Sequence, residues 1–184
     1  MKTELHTGQL LIAEPFMADG NFKASVVLLC NYIEEGAFGF VINKPMELSI
    51  NDLIDDFPVF DANVYLGGPV ENDLLHFLHC RPDIIDDGTE VAPGIFWGGD
   101  FEMLKLMIIA GQIKATEVKF IAGYSGWEQN QLKSELDGGA WIQAESNEDY
   151  VFVTDSEKLW RTILNDLGGH FKLLSNLPEN PNLN

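Results

Sequence analysis

Basic residues are scarce in this chain, and arginine is almost missing. Lys and Arg together number 11, against 29 Asp and Glu, and the formal net charge at pH 7 is -18. Because Lys and Arg provide most of a protein's non-specific affinity for phosphate backbones, this composition argues against direct binding of nucleic acid. The densest basic grouping, Lys105, Lys114 and Lys119, is diluted by apolar residues. The simplest interpretation of the acidic excess is that it keeps the protein soluble. A more specific interpretation is that the acidic surface binds a basic partner protein.

Cysteine is also rare, and no apolar run is long enough to span a membrane. Cys30 and Cys80 both lie in apolar runs, so we expect buried, reduced thiols. The first apolar run, Leu10 to Ala13, stops at Glu14 and is too short for the core of a signal peptide. We therefore expect a cytoplasmic protein with no membrane partner.

The length and the mixture of elements indicate one α+β domain. We expect it to occupy residues 1–174, followed by a frayed Asn/Pro-rich tail at residues 175–184. Strands outnumber helices and short turns join several of them, which favours α+β over a regular doubly wound sheet. A sheet of about seven strands that is not parallel throughout will curl, so we predict a partly closed mixed or antiparallel sheet with flanking helices.

Hydrophobic patterns place the central strands. Residues 10–13 and 25–30 form continuous apolar runs, which are typical of strands covered on both faces. The alternation across residues 38–43 predicts another strand, with its phenylalanines on one face. We expect that strand to form a hairpin with residues 24–32.

Capping patterns place the helices. Ser49 and Asp100 each precede an apolar stripe with helical spacing. Thr154 with Glu157 three residues later has the spacing of a capping box and predicts the start of a last helix. The apolar run at residues 150–153, just before it, predicts a strand.

The segment from Phe120 to Leu132 is the most informative stretch, because an apolar strand runs there into a glycine-flanked turn. Ser125 precedes Glu128 by three residues, so the two residues have the spacing of a capping box. We therefore predict that a helix begins at this corner.

The same corner has an alternative interpretation as the nucleophile elbow of a hydrolase. Gly123 stands two residues before Ser125, but a tryptophan occupies the place of the second glycine, so the motif is incomplete. Asp155 or Asp166 and then His170 would complete the chain order of a hydrolase triad.

Motifs for metals and phosphates are missing. His76 and His79 are spaced for a metal on a helix, but their local pattern is that of a strand, which sends them to opposite faces. The glycines at residues 36–39 and 67–68 lack the spacing of phosphate-binding loops. We predict no metal and no cofactor.

An ordered set of residues along almost the whole chain resembles the YqgE/AlgH family. The set comprises Leu11, Ile12, Ala13, Pro15, Asp19, Phe22, Ser25, Val26, Val27, Gly36, Ala37, Gly39, the run Val41 to Pro45, Gly67, Gly68, Pro69, Leu78, His79, Gly123, Tyr124, Trp127, Gln131, Leu132, Glu135 and Trp141.

This resemblance implies a compact α+β fold with a curled, partly bifurcated sheet, and it carries no settled biochemical activity. The AlgH name carries a label of transcriptional regulator tied to alginate production. Neither a helix-turn-helix signature nor basic charge supports DNA contact here, so a regulatory role would act through another protein. Members of the family often carry alanine in place of Ser125, which weakens the nucleophile interpretation.

Our leading hypothesis is a non-enzymatic binding or indirect regulatory domain. We expect it to engage a protein or a small molecule through a surface that comprises Asn43, Lys44, Tyr124, Trp127 and Glu128. These residues are predicted at strand ends and a helix N-terminus, where donors are available for an anion. A hydrolase in the same cleft is the first alternative, and a DNA-binding regulator, opposed by the net charge, is the second.

Overall fold

The computed structural model describes residues 4–176, so residues 177–184 of the predicted tail lie outside the described part. Ten strands lie within the described range: β1 (Gln9–Ala13), β2 (Val26–Ile33), β3 (Gly36–Val41), β4 (Pro45–Ser49), β5 (Asn63–Leu66), β6 (Val70–His79), β7 (Thr89–Ala92), β8 (Ile95–Trp97), β9 (Val118–Glu128) and β10 (Trp141–Glu145). Five α-helices lie in the same range: α1 (Ile50–Leu53), α2 (Phe101–Ile109), α3 (Gln131–Asp137), α4 (Ser156–Leu167) and α5 (Gly169–Leu174).

The strands form one curled, mainly antiparallel sheet of the half-barrel type, which confirms the predicted α+β class. Its main path runs β10-β1-β2-β3-β9-β6-β8-β7, and each neighbouring pair on that path is antiparallel. Strand β5 lies off the path, parallel to β9 and antiparallel to β4. The sheet is therefore mixed, as predicted, but it has more strands than the seven expected because the short strands β4 and β7 carry weak sequence patterns.

Strand β9 is shared by the branches of the sheet. Its first half, residues 118–122, lies between β5 and β6. Its second half, residues 125–128, pairs with residues 36–39 of β3. The sheet forks at the point where β9 passes from one set of neighbours to the other.

Core side chains cover both faces of the central strands, as the continuous apolar runs predicted. Leu10 and Ile12 of β1 face the layer that contains α4, while Leu11 and Ala13 face the opposite layer. All four are fully buried. The indole N–H of Trp160 in α4 donates to the carbonyl of Ala13 (2.8 Å), so a hydrogen bond as well as apolar contact fixes the helix on the sheet.

The predicted hairpin is confirmed. Strands β2 and β3 are antiparallel and are joined by a two-residue turn at Glu34 and Glu35. Phe38, Phe40 and Ile42 lie on the same face, the one that packs against the larger core.

Two of the predicted helix starts are also confirmed. Asp100 caps α2, and its carboxylate accepts from the backbone N–H of Met103 (2.9 Å). Ser49 precedes α1, and both its N–H and its hydroxyl donate to the carboxylate of Asp52 (2.7 Å each). No helix within residues 4–176 has the length and apolar character needed to cross a bilayer.

Two predictions near residue 150 are wrong. The N-cap of α4 is Asp155 rather than Thr154, since the carboxylate of Asp155 accepts from the N–H of Glu157 (3.0 Å). The predicted strand at residues 150–153 belongs to a π-helical turn that buries Val151 in the core. An apolar run this short does not distinguish a strand from a buried helical turn, because periodicity needs more residues than four.

The turn between β5 and β6 lies against the fork in the sheet. The N–H of Gly67 donates to the carbonyl of Ala122 in β9 (2.8 Å). The carbonyl of Gly67 accepts from the N–H of Val41 (2.8 Å) and from the hydroxyl of Ser125 (3.0 Å). The single residue Gly67 thereby joins the end of β3 to both halves of β9, at a distance that leaves no space for a side chain.

We predict that Gly67→Ala destabilises the fold strongly. A Cβ at this position would overlap the backbone carbonyl of Gly123 and the side chain of Ile121. We expect a loss of about 2 to 3 kcal/mol in the free energy of unfolding, because backbone atoms have to move. Urea unfolding followed by circular dichroism measures the loss. Gly20→Ala is the matched control, since a Cβ there meets nothing within 4 Å; equal stability of the two variants would contradict the prediction.

Candidate functional site

The corner around Ser125 is a continuation of β9, and the predicted capping box is wrong. Ser125 is fully buried, and its hydroxyl donates to the carbonyl of Gly67 (3.0 Å). Helix α3 begins later, after Asn130 in a left-handed conformation (φ 61°). The N–H of Glu128 donates to the side-chain oxygen of Gln131 (3.0 Å). The strand extends through Ser125 because residues 125–128 gain a ladder of hydrogen bonds with β3, which outweighs a single local cap.

The four residues of the hydrolase interpretation are each engaged elsewhere. The proton of the Ser125 hydroxyl is directed to a backbone carbonyl. Asp155 caps α4, and Asp166 accepts from the hydroxyl of Tyr150 (2.6 Å). His170 is exposed beside a phenylalanine ring. Among the hydrogen bonds of residues 4–176, none joins Ser125 to an imidazole or a carboxylate.

Asn43 and Lys44 hold the segment that leads into β2. The side-chain oxygen of Asn43 accepts from the N–H of Val26 (2.8 Å), and its amide nitrogen donates to the carbonyl of Ala24 (2.9 Å). The ammonium of Lys44 donates to the carbonyl of Lys23 (2.6 Å). Both side chains therefore stabilise the local backbone.

Trp127 anchors α3 to the sheet. Its indole N–H donates to one carboxylate oxygen of Glu135 (2.9 Å), and the indole N–H of Trp141 donates to the same oxygen (2.8 Å). Trp127 is buried on the face opposite to that of Tyr124, because residues three apart on a strand point in opposite directions. Glu128 is exposed at the end of β9. The structure thus separates the residues of the predicted surface, and ligand binding by any of them stays a prediction.

Tyr124 lines an aromatic pocket that we name the four-ring pocket. Its walls are the rings of Phe38, His76, Trp97 and Tyr124, which come from β3, β6, β8 and β9, four adjacent strands of the sheet. Glu71 and Leu74 complete the lining. The cavity has a volume of about 310 Å³ and is open to solvent. Apolar, largely preformed cavities of this size are typical of small-molecule sites.

A bulge in β6 builds the mouth of this pocket. Residues 71–74 of β6 form no regular pairs with β9. All four lie opposite a single residue of β9, Gly123. Gly123 has φ 71°, and a Cβ there would lie 2.6 Å from the side-chain oxygen of Asn72. Glycine is therefore required at this position, since the bulge passes directly over it. The bulge places Glu71 and Leu74 at the rim.

His76 contributes the one imidazole of the four rings. Its Nε2 is buried and has no hydrogen-bond partner among the described residues. Burial lowers the pKa of His76, and the nearby negative charge of Glu71 partly opposes that effect. The imidazole is therefore neutral at pH 7.

The potential metal ligands are dispersed. His79 lies on the face opposite to His76, with its ring 5.5 Å from that of Phe96, which confirms the predicted separation of the two histidines. Cys30 and Cys80 are free thiols, as expected, but Cys30 is buried while Cys80 is only half-buried; burial raises the pKa of both. Within residues 4–176 no group of three or more His, Cys, Asp or Glu side chains is arranged to hold a metal ion.

Lys119, which the sequence placed only in a diluted basic grouping, is a buried cation. Its ammonium donates to the carbonyl of Ile42 (3.0 Å) and lies 3.6 Å from the centre of the Tyr65 ring. The hydroxyl of Tyr65 is in turn hydrogen-bonded to the hydroxyl of Ser156 at the start of α4 (2.9 Å). Burial lowers the pKa of Lys119 to about 7. This lysine cannot contribute to a basic surface patch.

Tyr124 was predicted as a binding residue from the sequence, whereas the other three rings of the pocket were not. Phe38 was assigned to the correct face of β3, and His76 was assigned to a strand, but neither was linked to Tyr124. The signal that could have linked them is one aromatic or histidine residue on the same face of each of several strands. This signal can be recognised only when the order of the strands in the sheet is known, and the local sequence pattern does not give that order.

The topology places the chain in a class of protein, the α+β proteins with a forked half-barrel sheet. The chain belongs to the AlgH-like family, whose sequence model matches residues 10–172. A protein of Chlorobaculum parvum named UPF0301 protein is 43% identical over 180 residues, which cover 98% of this chain and 96% of that protein. The UPF0301 protein of Cytophaga hutchinsonii is 43% identical over 182 residues and is covered completely.

Two solved structures share the fold. The solution structure of the AlgH protein from Pseudomonas aeruginosa superposes with a TM-score of 0.73 at 29% identity, covering 97% of this chain and 98% of that one. The crystal structure of protein DIP2367 from Corynebacterium diphtheriae gives a TM-score of 0.81 at 21% identity, with 96% and 95% of the two chains covered. The family resemblance and its implied bifurcated fold are therefore confirmed.

We predict that Glu135→Ala destabilises the protein, because it leaves the indole N–H groups of Trp127 and Trp141 without their acceptor. The expected loss is about 2 kcal/mol, the usual cost of unpaired buried donors. Equilibrium unfolding in urea measures it. Glu128→Ala removes an exposed carboxylate of the neighbouring strand and is the control, with an expected change below about 0.5 kcal/mol. A Glu135→Ala variant as stable as that control would show that the shared acceptor has no role.

We predict that Lys119 makes stability depend on pH above neutrality. The unfolded chain binds this proton below about pH 10.5, and the folded protein binds it below about pH 7. Between these values the unfolded state holds more protons, so the free energy of unfolding rises with pH. The stability of the native protein relative to Lys119→Met should therefore increase from pH 7 to pH 10, measured by urea unfolding at each pH. The other titrating groups are the same in the two proteins, so their effects cancel in the comparison. A difference in the free energy of unfolding that does not change with pH would refute the lowered pKa of Lys119.

Proposed function

We propose that the chain is a non-enzymatic binding protein whose ligand occupies the four-ring pocket. The observation that carries this proposal is the pocket itself, an open cavity of about 310 Å³ walled by rings from four adjacent strands. Apolar cavities with few polar groups bind small molecules or single side chains of a partner. Tyr124, one residue of the surface predicted from the sequence, lies in this wall.

The polar groups around the pocket support binding rather than catalysis. The lining offers the imidazole of His76, the hydroxyl of Tyr124 and, at the rim, the carboxylate of Glu71. The serine suggested as a nucleophile, Ser125, donates to a structural carbonyl instead. An acyl-transfer site needs a nucleophile and a base in contact, and these side chains do not supply that pair.

We further propose that any regulatory role is exercised through the bound ligand or a protein partner rather than through DNA. Two of the basic side chains that could otherwise contact DNA phosphates interact within the protein instead. Arg81 forms ion pairs with Asp83 and Glu117, and Lys119 is buried. The net charge of -18 supports the same conclusion. Free thiols in a protein of this kind support a reducing cytoplasm as its location.

The test is a fragment screen on the ¹⁵N-labelled protein, followed by two-dimensional NMR. We expect binding fragments to shift the signals of Phe38, Tyr124 and the Trp97 indole. Leu74→Trp, which adds bulk at the mouth of the cavity, should abolish these shifts because it fills the space that the fragments need.

Leu53→Trp is the matched control for that variant. Leu53 is 45% exposed and Leu74 is 48% exposed, so both positions tolerate a larger side chain, but Leu53 lies in α1 and does not line the pocket. Shifts that persist in Leu74→Trp, or that cluster around Asn43 and Lys44, would reject the four-ring pocket as the site.

A further inference from the structure

We propose that the four-ring pocket selects a small molecule that carries a methylated ammonium group. This inference rests on the proposed function, since it assumes that the pocket is a binding site, and it adds the charge and chemical class of the ligand.

The four rings form a closed circuit of contacts. The centroids are 5.0 Å apart for Phe38 and Trp97, 6.1 Å for Trp97 and His76, 6.4 Å for His76 and Tyr124, and 6.2 Å for Tyr124 and Phe38. In the same order, the planes of the paired rings are inclined to each other by 65°, 50°, 87° and 79°, so the four rings form a box. The ring of Phe40, which is fully buried and does not line the cavity, packs against Phe38, His76 and Trp97.

A box of aromatic rings attracts cations, because the face of each ring carries negative electrostatic potential. The charges around this box favour the same sign of ligand. Glu71 at the rim is acidic, the lining contains no Lys or Arg, and His76 is neutral at pH 7.

The backbone at Glu71 gives a second, independent reason to assign its carboxylate a role. Glu71 has φ 47°, in the left-handed region that glycine or asparagine occupies at lower cost. A residue that is held in such a conformation and directed to the mouth of a cavity is a common feature of ligand sites. Glutamate at this position supplies a negative charge that neither glycine nor asparagine would supply.

The shortage of hydrogen-bond acceptors in the lining favours a methylated ammonium over a bare one. A bare ammonium has three N–H donors, and burying them without partners is costly. The acceptors of the lining are the carboxylate of Glu71 at the rim, the phenol oxygen of Tyr124 and the imidazole of His76, whose Nε2 is buried, while the rest of the lining is apolar. Methyl groups remove the donors and pack against rings, so a quaternary ammonium keeps its charge without needing those bonds. A volume of about 310 Å³ suits a small molecule with such a head group.

Choline and its uncharged isostere 3,3-dimethylbutan-1-ol test the inference, because they have the same shape and differ in charge. Titration of each into the ¹⁵N-labelled protein at constant ionic strength is followed by the Trp97 indole signal. We expect choline to bind at least about tenfold more tightly than the alcohol. Glu71→Gln should weaken choline about fivefold and leave the alcohol unchanged, while the control Glu47→Gln, an exposed carboxylate of β4, should change neither.

The outcomes separate this inference from the proposed function. Equal affinities for choline and the alcohol would overturn the selection of a cation and leave the pocket as a binding site. If fragments shift the Trp97 indole signal and choline does not, the selection of a cation would also be overturned and the pocket would remain a binding site. Tighter binding of a short uncharged peptide with one trimethyllysine than of choline would overturn the assignment to a small molecule. Choline binding that is insensitive to Glu71→Gln would overturn the role given to that carboxylate.

Discussion

The close contact between Gly67 and strand β9 is the constraint on which the rest of the structure depends. The carbonyl of Gly67 accepts from Val41 and Ser125 and its N–H donates to Ala122, so this one residue ties β3 to β9 at the fork of the sheet. Such bonds form between backbones only when they approach closely, and Gly67 permits that approach because a Cβ would overlap the carbonyl of Gly123. This contact fixes the position of β3 relative to β9 at the fork.

The four-ring pocket is a product of that register. Antiparallel pairing places Phe38 opposite Gly126, next to Tyr124 on the same strand face two residues earlier. Strand β6 follows β9, and its bulge over Gly123 raises Glu71 to the rim while His76 stays in the wall. A shift of one residue in any of these strands would send its ring to the other face. The site therefore depends on the same glycines that shape the fork.

The corner at Ser125 shows how tertiary pairing overrides a local signal. The spacing of Ser125 and Glu128 fits a capping box, whose contribution is on the order of 1 kcal/mol. Residues 36–39 of β3 offer the same segment a full set of backbone partners, and burial of the neighbouring Trp127 adds to that gain. The segment consequently extends as a strand, and Trp127 and Tyr124 point to opposite faces. The predicted surface, which assumed a helix start, is divided for this reason.

The sequence by itself determined the α+β class, the covered strands, the β2–β3 hairpin, the cap of α2 and the family, because each of these depends on residues close together or on an ordered motif along the chain. The tertiary structure decided which strands are neighbours, and with that the pocket, the burial of Lys119 and the structural roles of Asn43 and Trp127. Periodicity reports the face on which a side chain lies. It does not report what lies opposite that face, since contacts between distant residues are set by the packing of the whole chain.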